Sequence, residues 1–504
     1  MKKRLSIFLI LCLLSALPGF AESAVAPNWY EVFVRSWRDS DGDGLGDLNG
    51  LREKLDYIED MGWRGLWLMP VMPSPSYHKY DVTDYKAVDP EYGTLADMRA
   101  LVAACHERDI EVIVDMPVNH TSTRHPWFIA AAEGLISDVG SPYTDYYNFN
   151  RTGGSGYASL GETGWFYEEQ FTGGGMPDLN LDNPNVREEI RAIFDFWLND
   201  VGVDGFRLDA VTSYYTGDAG ANIAFLAWMK DICEALKPGA YLVGECWANL
   251  NTIADYYASG VDSFFLFPAA QAEGFIAASL RARSNPAEKF AKQYEKVLDA
   301  IPDGRLAPFL CNHDTGRTVG LVQGRSNPEI AKFAEGVLGM LGGSVFTYYG
   351  EEIGMVGSGD DPNKRLAMYW SDGEMAAQPP GTTSVEYAYP SVAAQQADPG
   401  SLLNYVKAVN RARLENPAIA DGENAFLLAE GSLCLMRRVV GDEACLIAVN
   451  FSSKAAGSVD MEACAIAADL EVGEGAATLE ALDSGCRLTL PPYGIAVLRP
   501  SDDN

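Results

Sequence analysis

Three short stretches of this chain end apolar runs on residues that titrate or hydrogen-bond strongly: Gly205-Phe206-Arg207-Leu208-Asp209, Gly244-Glu245-Cys246-Trp247 and Asn312-His313-Asp314. The runs before them, Val201 to Gly205, Ala240 to Val243 and Pro308 to Leu310, read as buried strands. Three carboxylates therefore stand at the C-terminal ends of three strands. In a (β/α)8 barrel those ends converge on one face. An Asp, a Glu, a second Asp, an Arg and a His gathered there suit glycoside cleavage. One carboxylate attacks the sugar, another donates a proton, and the rest orient and charge the site.

Each residue has its own chemical logic beside a blander one. Asp209 follows Arg207 by two, so in an extended strand both side chains point the same way, and the Arg keeps the Asp ionised as a nucleophile requires. The bland alternative is a structural ion pair at a barrel mouth. Glu245 has to be protonated to act as an acid, and Cys246 and Trp247 beside it offer apolar surroundings. Asp314 would grip sugar hydroxyls in the transition state; a solvated loop Asp is its alternative. His120 and His313 are two of only five histidines, and both end expected barrel strands. Tyr80 offers a ring for the C–H face of a pyranose, with core packing as its alternative.

A second signal is Asp39-Ser40-Asp41-Gly42-Asp43-Gly44-Leu45-Gly46-Asp47. Alternating carboxylates with glycines between them let a loop curl oxygen atoms around a hard cation. It begins like an EF-hand, but Gly50 stands where the twelfth-position Glu belongs.

The elements that must position these groups alternate strand and helix, as a parallel barrel requires. Eight strands are expected, at Tyr30 to Arg35, Gly65 to Met69, Glu111 to Met116, Val203 to Leu208, Tyr241 to Glu245, Ser263 to Phe267, Pro308 to Cys311 and Ser344 to Tyr348. Amphipathic helices are expected at Val186 to Asn199 and Leu402 to Leu414. The connection after the third strand is far longer than a usual βα loop and reads as an inserted subdomain. After about Pro417, short alternating runs separated by tight turns such as Gly441-Asp442 read as an antiparallel β domain.

With these motifs in view, the chain resembles the α-amylase family of glycoside hydrolases, from about Trp29 to its C-terminus. Asp115-Met116-Pro117-Val118-Asn119-His120 resembles the family's first conserved segment, and the three stretches above are similar to the second, third and fourth. Met176-Pro177-Asp178-Leu179-Asn180 resembles the fifth, in a version found between oligo-1,6-glucosidases and neopullulanases. The resemblance implies a (β/α)8 TIM barrel over 26–118 and 178–417, an inserted domain B over 119–177, and a C-terminal β-sandwich domain over 418–504. It implies Asp209, Glu245 and Asp314 as catalytic residues and Tyr80, His120, Arg207, His313 and Arg365 as substrate-binding ones. It implies a Ca2+ held by the carboxylates of Asp39, Asp41, Asp43 and Asp47 and the carbonyl of Leu45. Asn119 and Asp178 match ligands of the family's other calcium site, whose His is replaced here by Ser213. Tyr77 stands where exo-acting relatives carry an Asp, and Ala210 where 1,6-specific members carry Val, which favours internal α-1,4 cleavage of an α-glucan. A 4-α-glucanotransferase and an oligo-1,6-glucosidase or neopullulanase-type enzyme are the alternatives within the family. A non-catalytic barrel-bearing transporter subunit is the distant one.

Composition sets outer limits. The 504 residues, 47% of them hydrophobic, suit a large barrel with additions. A net charge of -32 argues against nucleic-acid and anionic-membrane partners. Lys2-Lys3-Arg4 followed by the apolar run Leu5 to Leu17 reads as a signal peptide over 1–21, cleaved after Ala21, and hence as secretion or periplasmic export of a monomer without a membrane span. Among nine cysteines, Cys434 with Cys445 and Cys464 with Cys486 are possible pairs, while Cys105, Cys233, Cys246 and Cys311 read as small buried apolar residues.

Overall fold

The computed structural model of the protein describes residues 26–302 and 304–500. The expected leader over 1–21 lies outside the described residues. Eight parallel strands form one sheet: Trp29–Val32, Gly65–Leu68, Glu111–Met116, Gly205–Leu208, Tyr241–Gly244, Ser263–Phe265, Arg305–Ala307 and Phe346–Tyr348. They follow chain order around the sheet, and the first strand also pairs with the eighth, Trp29 opposite Phe346. The backbone N–H groups of Ser344 and Phe346 donate to the carbonyls of Leu306 (2.8 Å) and Pro308 (2.9 Å), which joins the eighth strand to the seventh and closes the barrel.

The seventh strand differs from the expectation. It runs over Arg305–Ala307 rather than Pro308 to Cys311, with only an isolated bridge from Phe309 to Phe346 beyond it. Pro308 has no N–H to continue the ladder, so regular pairing stops there. The helix expected from Val186 starts at Pro184, capped by the Asn183 side chain, and after Asp195 it loosens into a wider π-type turn over Phe196–Val201.

The barrel interior is aromatic. Trp29 is stacked on Tyr241 and Phe346, with centroids 5.1 and 5.7 Å away, and Trp67 is stacked on Phe265 at 5.2 Å. Gly65 makes room for them, because a Cβ there would lie 2.4 Å from the Trp29 ring. Large rings opposite a missing side chain keep the interior filled without splaying the strands.

Between the third and fourth strands the chain builds the helix Pro126–Ser137 and a three-stranded antiparallel sheet of Phe149–Asn150, Tyr157–Ser159 and Phe166–Glu168. It returns to the barrel mouth at a bridge between His120 and Asp178. The C-terminal strands form a five-stranded and a three-stranded antiparallel sheet. Leu435, Leu446, Leu488, Leu490 and Leu498 share a separate small core there. In the hairpin of Leu433–Val440 and Glu443–Asn450, Cys434 faces Val449 and Cys445 faces Arg438. The two-residue turn at Gly441-Asp442 sets that register, so the suggested Cys434–Cys445 pair is not formed. Among the described residues no helix is long and apolar enough to cross a membrane.

Candidate active site

Arg207 is the hub of the barrel mouth. It leaves the fourth strand fully buried, because Gly205 beside it lets that strand approach the fifth; a Cβ at Gly205 would meet the Tyr241 carbonyl oxygen at 1.8 Å. Its Nη1 donates to Asp115 Oδ1 at 2.9 Å and to Asp209 Oδ1 at 2.6 Å. Its Nη2 lies 2.9 Å from Glu245 Oε1, close enough for an ion pair but not aligned as a hydrogen bond. One guanidinium thus holds three carboxylates from three neighbouring strands.

The two carboxylates beyond the strand ends meet different surroundings. Ala210, just after Asp209, has φ 43, in the left-handed region. Its backbone N–H donates to Glu245 Oε2 at 3.0 Å, so the turn that follows one carboxylate orients the other. Burial pushes Glu245 up to about 7, with Asp209 and Asp314 adding to the rise against the pull of Arg207. The apolar cover of Glu245 is not the expected one. Cys246 is buried, but Trp247 is 51% exposed and its ring stacks on Phe267 at 4.8 Å.

The His313-Asp314 stretch is tied in from the opposite side. His313 places Nδ1 on Glu31 Oε1 of the first strand, and its Nε2 lies 2.7 Å from Tyr80 Oη and 3.0 Å from Asp314 Oδ2. Burial works against a charged imidazole here, but Asp314 and Glu31 overcome it and push His313 up to about 10. Burial likewise opposes the charge on Asp314, yet His313 and Arg365 hold its carboxyl well below the usual range. Arg365 reaches Asp314 Oδ1 at 2.8 Å and the His313 carbonyl at 3.2 Å, and lies 3.4 Å from Tyr77 Oη. Tyr80 donates to Asp115 Oδ2 at 2.8 Å and lies nearly parallel to the His313 ring.

Tyr80, Asp209, Glu245, Asp314 and Arg365 line a pocket of about 350 Å³ together with His120, Phe171 and Trp247, while Arg207 and His313 lie fully buried behind it. Burial lowers the pKa of His120, whose Nδ1 has no partner among the described residues. Phe171, from the inserted segment, packs edge-on against it at 5.6 Å. All eight residues expected to act on substrate, Tyr80, His120, Arg207, Asp209, Glu245, His313, Asp314 and Arg365, are thus drawn to one mouth.

Three residues of this mouth carry no assigned role in the sequence reading. Asp115 belongs to a quoted motif; it is buried and pushed up to about 6 by that burial, against the pull of Arg207. Glu31 lies in the first strand, and nothing but its placement in a buried run marks it. Lys79 is buried with φ 67, and its Nζ pairs with Asp89 at 2.7 Å and Glu91 at 2.8 Å, pinning the turn that carries Tyr80. A charged residue between aromatics gives no sign of such burial in sequence.

The acidic loop lies after the first strand. Ligand oxygens of Asp39, Asp41 and Asp43 lie within 4.8 Å of one another. Gly42 and Gly44, with φ 87 and 95, allow that curl. Three mutually close carboxylates fit a hard cation. Asp47 lies outside the triad: its carboxylate accepts from Ser40 N, Ser40 Oγ and Gly50 N, all at 2.8 Å, and so caps the helix Leu48–Glu53. Asn119 and Asp178 do meet, but Asn119 Nδ2 donates to Asp178 Oδ1 at 3.0 Å, and among the described residues no acidic or histidine cluster of three forms around them. Burial pushes Asp178 up to about 7.

A barrel whose mouth holds these carboxylates around one arginine is that of a glycoside hydrolase. Residues 31–422 match the family model described as "Alpha amylase, catalytic domain", and the chain belongs to that family. It is 38% identical over 430 residues to Alpha-amylase 3 of Dictyoglomus thermophilum, with 83% of each chain covered. It is 28% identical to an oligo-1,6-glucosidase of Parageobacillus thermoglucosidasius, over 84% of this chain and 90% of that one. Among solved structures, Eubacterium rectale Amy13B superposes with a TM-score of 0.90 at 41% identity, covering 95% of this chain and 96% of its own. An α-amylase from H. orenii gives 0.83 at 34% identity, covering 95% of this chain and all of its own.

Proposed function

We propose that the protein is an exported α-amylase that cleaves internal α-1,4 bonds of starch-type glucans with retention. The observation that carries this reading is the shared guanidinium of Arg207, which holds Asp209 and Glu245 side by side while burial raises the Glu245 pKa to about 7. Two carboxyls close together, one bonded to a guanidinium and one able to carry a proton near neutrality, suit double displacement. Asp209 attacks the anomeric carbon as Glu245 Oε protonates the departing glycosidic oxygen. A glycosyl ester on Asp209 results. Glu245, now a carboxylate, takes a proton from water, the hydroxide oxygen bonds to the anomeric carbon, and Asp209 leaves.

The remaining residues bind. Tyr80 faces the sugar ring and His120 bonds its hydroxyls, while His313, buried with both ring nitrogens engaged, positions Tyr80 and Asp314 behind them, and Arg207 positions Asp209. Asp314, held ionised by His313 and Arg365, grips hydroxyls as the ring flattens. Asp39, Asp41, Asp43 and the Leu45 carbonyl would hold Ca2+, with Asp47 setting the loop's far end. The ion supplies charge neutralisation to the fold and takes no part in the chemistry. The same reading divides the chain into a leader over 1–21, a barrel over 26–118 and 178–417, an insertion over 119–177 and a C-terminal domain over 418–504, acting as a monomer.

Internal cleavage is supported by the mouth's open flank. The half-exposed Trp247 also borders a second depression, lined by Leu250, Phe267 and Phe275, that offers a continued path for a chain. Product sizing tests the reading. Soluble starch should lose iodine colour well before much glucose appears, and maltotetraose should react faster than isomaltose. Glucose alone from the outset, with isomaltose cut faster, would replace this reading with an oligo-1,6-glucosidase. Transfer products longer than the substrate would mark a glucanotransferase.

A further inference from the structure

Eight cysteines lie among the described residues, and six of them are buried without a sulfur neighbour in hydrogen-bond contact. The other two meet. Cys464 opens the strand Cys464–Leu470 at the edge of the five-stranded C-terminal sheet, and Cys486 opens Cys486–Leu490, the middle strand of the three-stranded sheet. Their Sγ atoms are 3.3 Å apart. Cys464 is only partly buried, so an oxidant can reach it.

We propose that Cys464 and Cys486 form a disulfide that staples the two C-terminal sheets together. The oxidant is a small-molecule or protein disulfide. The Cys464 thiolate attacks one of its sulfurs and expels the first thiol. The Cys486 thiolate then attacks the Cys464 sulfur, forms the new S–S bond and expels the second. Two thiols become one disulfide, and both hydrogens and both electrons end on the reduced oxidant. The contact between two sheets gives the bond its mechanical meaning. It closes a loop between two cysteines 22 positions apart. That loop contains Thr478–Ala481, an edge strand paired only to the strand that Cys486 opens. Closing such a loop restricts the unfolded chain more than the folded one. Burial and the adjacent thiol push Cys464 up to about 12, so the uncatalysed reaction should be slow at neutral pH and quicken as pH rises.

The proposal is independent of the catalytic reading and is tested on the full chain. Protein isolated with reductant is incubated at pH 8 with excess oxidised glutathione, then denatured, alkylated and mapped by mass spectrometry. A Cys464–Cys486 peptide two hydrogens lighter than its reduced halves is expected. The melting temperature should exceed that of the reduced protein by several degrees. Cys464→Ser and Cys486→Ser should each abolish that difference while leaving starch hydrolysis at 25 °C unchanged. The proposal is overturned if both cysteines alkylate as free thiols, if glutathione stays on Cys464 without a cross-link, or if the cross-link joins another pair. A cross-link without a melting shift overturns the stapling role. A copper(I) adduct held by both thiols and by Met461, whose Sδ lies 3.5 Å from Cys464 Sγ, would make the pair a metal site instead.

Discussion

The barrel mouth and the loop after the first strand both crowd carboxylates together, but they neutralise them differently. At the mouth the countercharge is covalent: Arg207 lies among Asp115, Asp209 and Glu245, and Arg365 and His313 among Asp314 and Glu31. In the loop, Asp39, Asp41 and Asp43 converge with no lysine or arginine in ion-pair range among the described residues, and Asp41 and Asp43 are exposed. A site that carries its own cations tunes its acids by burial. A site without them must either stay wet or import a cation. The first arrangement suits chemistry that has to be ready before substrate arrives; the second suits a structural clasp.

The comparison breaks most visibly when the tuned acids are removed. Asp209→Asn and Glu245→Gln should each lower kcat by about a thousandfold or more with an unchanged melting curve, since each removes one half of a two-step transfer. Activity within tenfold of the parent in a folded variant would remove the assignment. Next comes the internal cation. Arg207→Leu leaves three buried carboxylates unpaired and should destabilise the fold by about 3–5 kcal/mol, measured by urea unfolding at pH 7. Part of that loss should return at pH 5, where Asp115 and Glu245 take up protons.

The imported cation gives a smaller effect. At a hundredfold excess over its Kd, calcium should add about 3 kcal/mol, read as a melting shift that a chelator reverses and Asp43→Ala blunts. Equal melting temperatures with chelator and with calcium would leave the loop as a solvated acidic turn. Burial tuning has its own signature. Glu245 acts as the acid only when protonated, so kcat/KM should fall about tenfold per pH unit above about 7. A profile flat to pH 9 would contradict this. The smallest effect belongs to the rim: Trp247→Ala should slow long chains by about three- to tenfold and spare maltotriose, because only longer substrates reach that ring.

Much of the mouth was legible in sequence because its residues end strands, and in this fold strand ends converge whatever lies between them. Arg207 and Asp209 needed only the two-residue alternation of a strand. Glu31 was not legible, since its partner His313 is 282 positions away and only barrel closure brings them together. Lys79 was hidden for another reason: residue type suggests a solvated lysine, and the buried Asp89 that holds it comes from the next turn. The seventh strand lies three residues before the one its apolar run suggests, because that run continues past Pro308, where apolarity and pairing part company. Trp247 reads in sequence as cover for Glu245, but it lies beyond the end of the strand, where its ring stacks on Phe267 and stays half-exposed at the rim of the pocket. The acidic loop was legible as a pattern of ligands, while the cap formed by Asp47 depends on the helix that begins beside it.

The seam between the first and eighth strands has a consequence for synthesis. Trp29 finds its edge partner at Phe346, roughly 300 residues later. At about 5–20 residues per second, a ribosome leaves that edge unpaired for roughly 15–60 s. Throughout that interval the nascent chain presents an open, aromatic-rich strand, and long-range closure of this kind is slow even once the partner exists. The barrel therefore cannot mature from its beginning. It stays an unfinished, adhesive ribbon until its eighth strand emerges, which is the interval in which a holdase or a translocation machine would find it open.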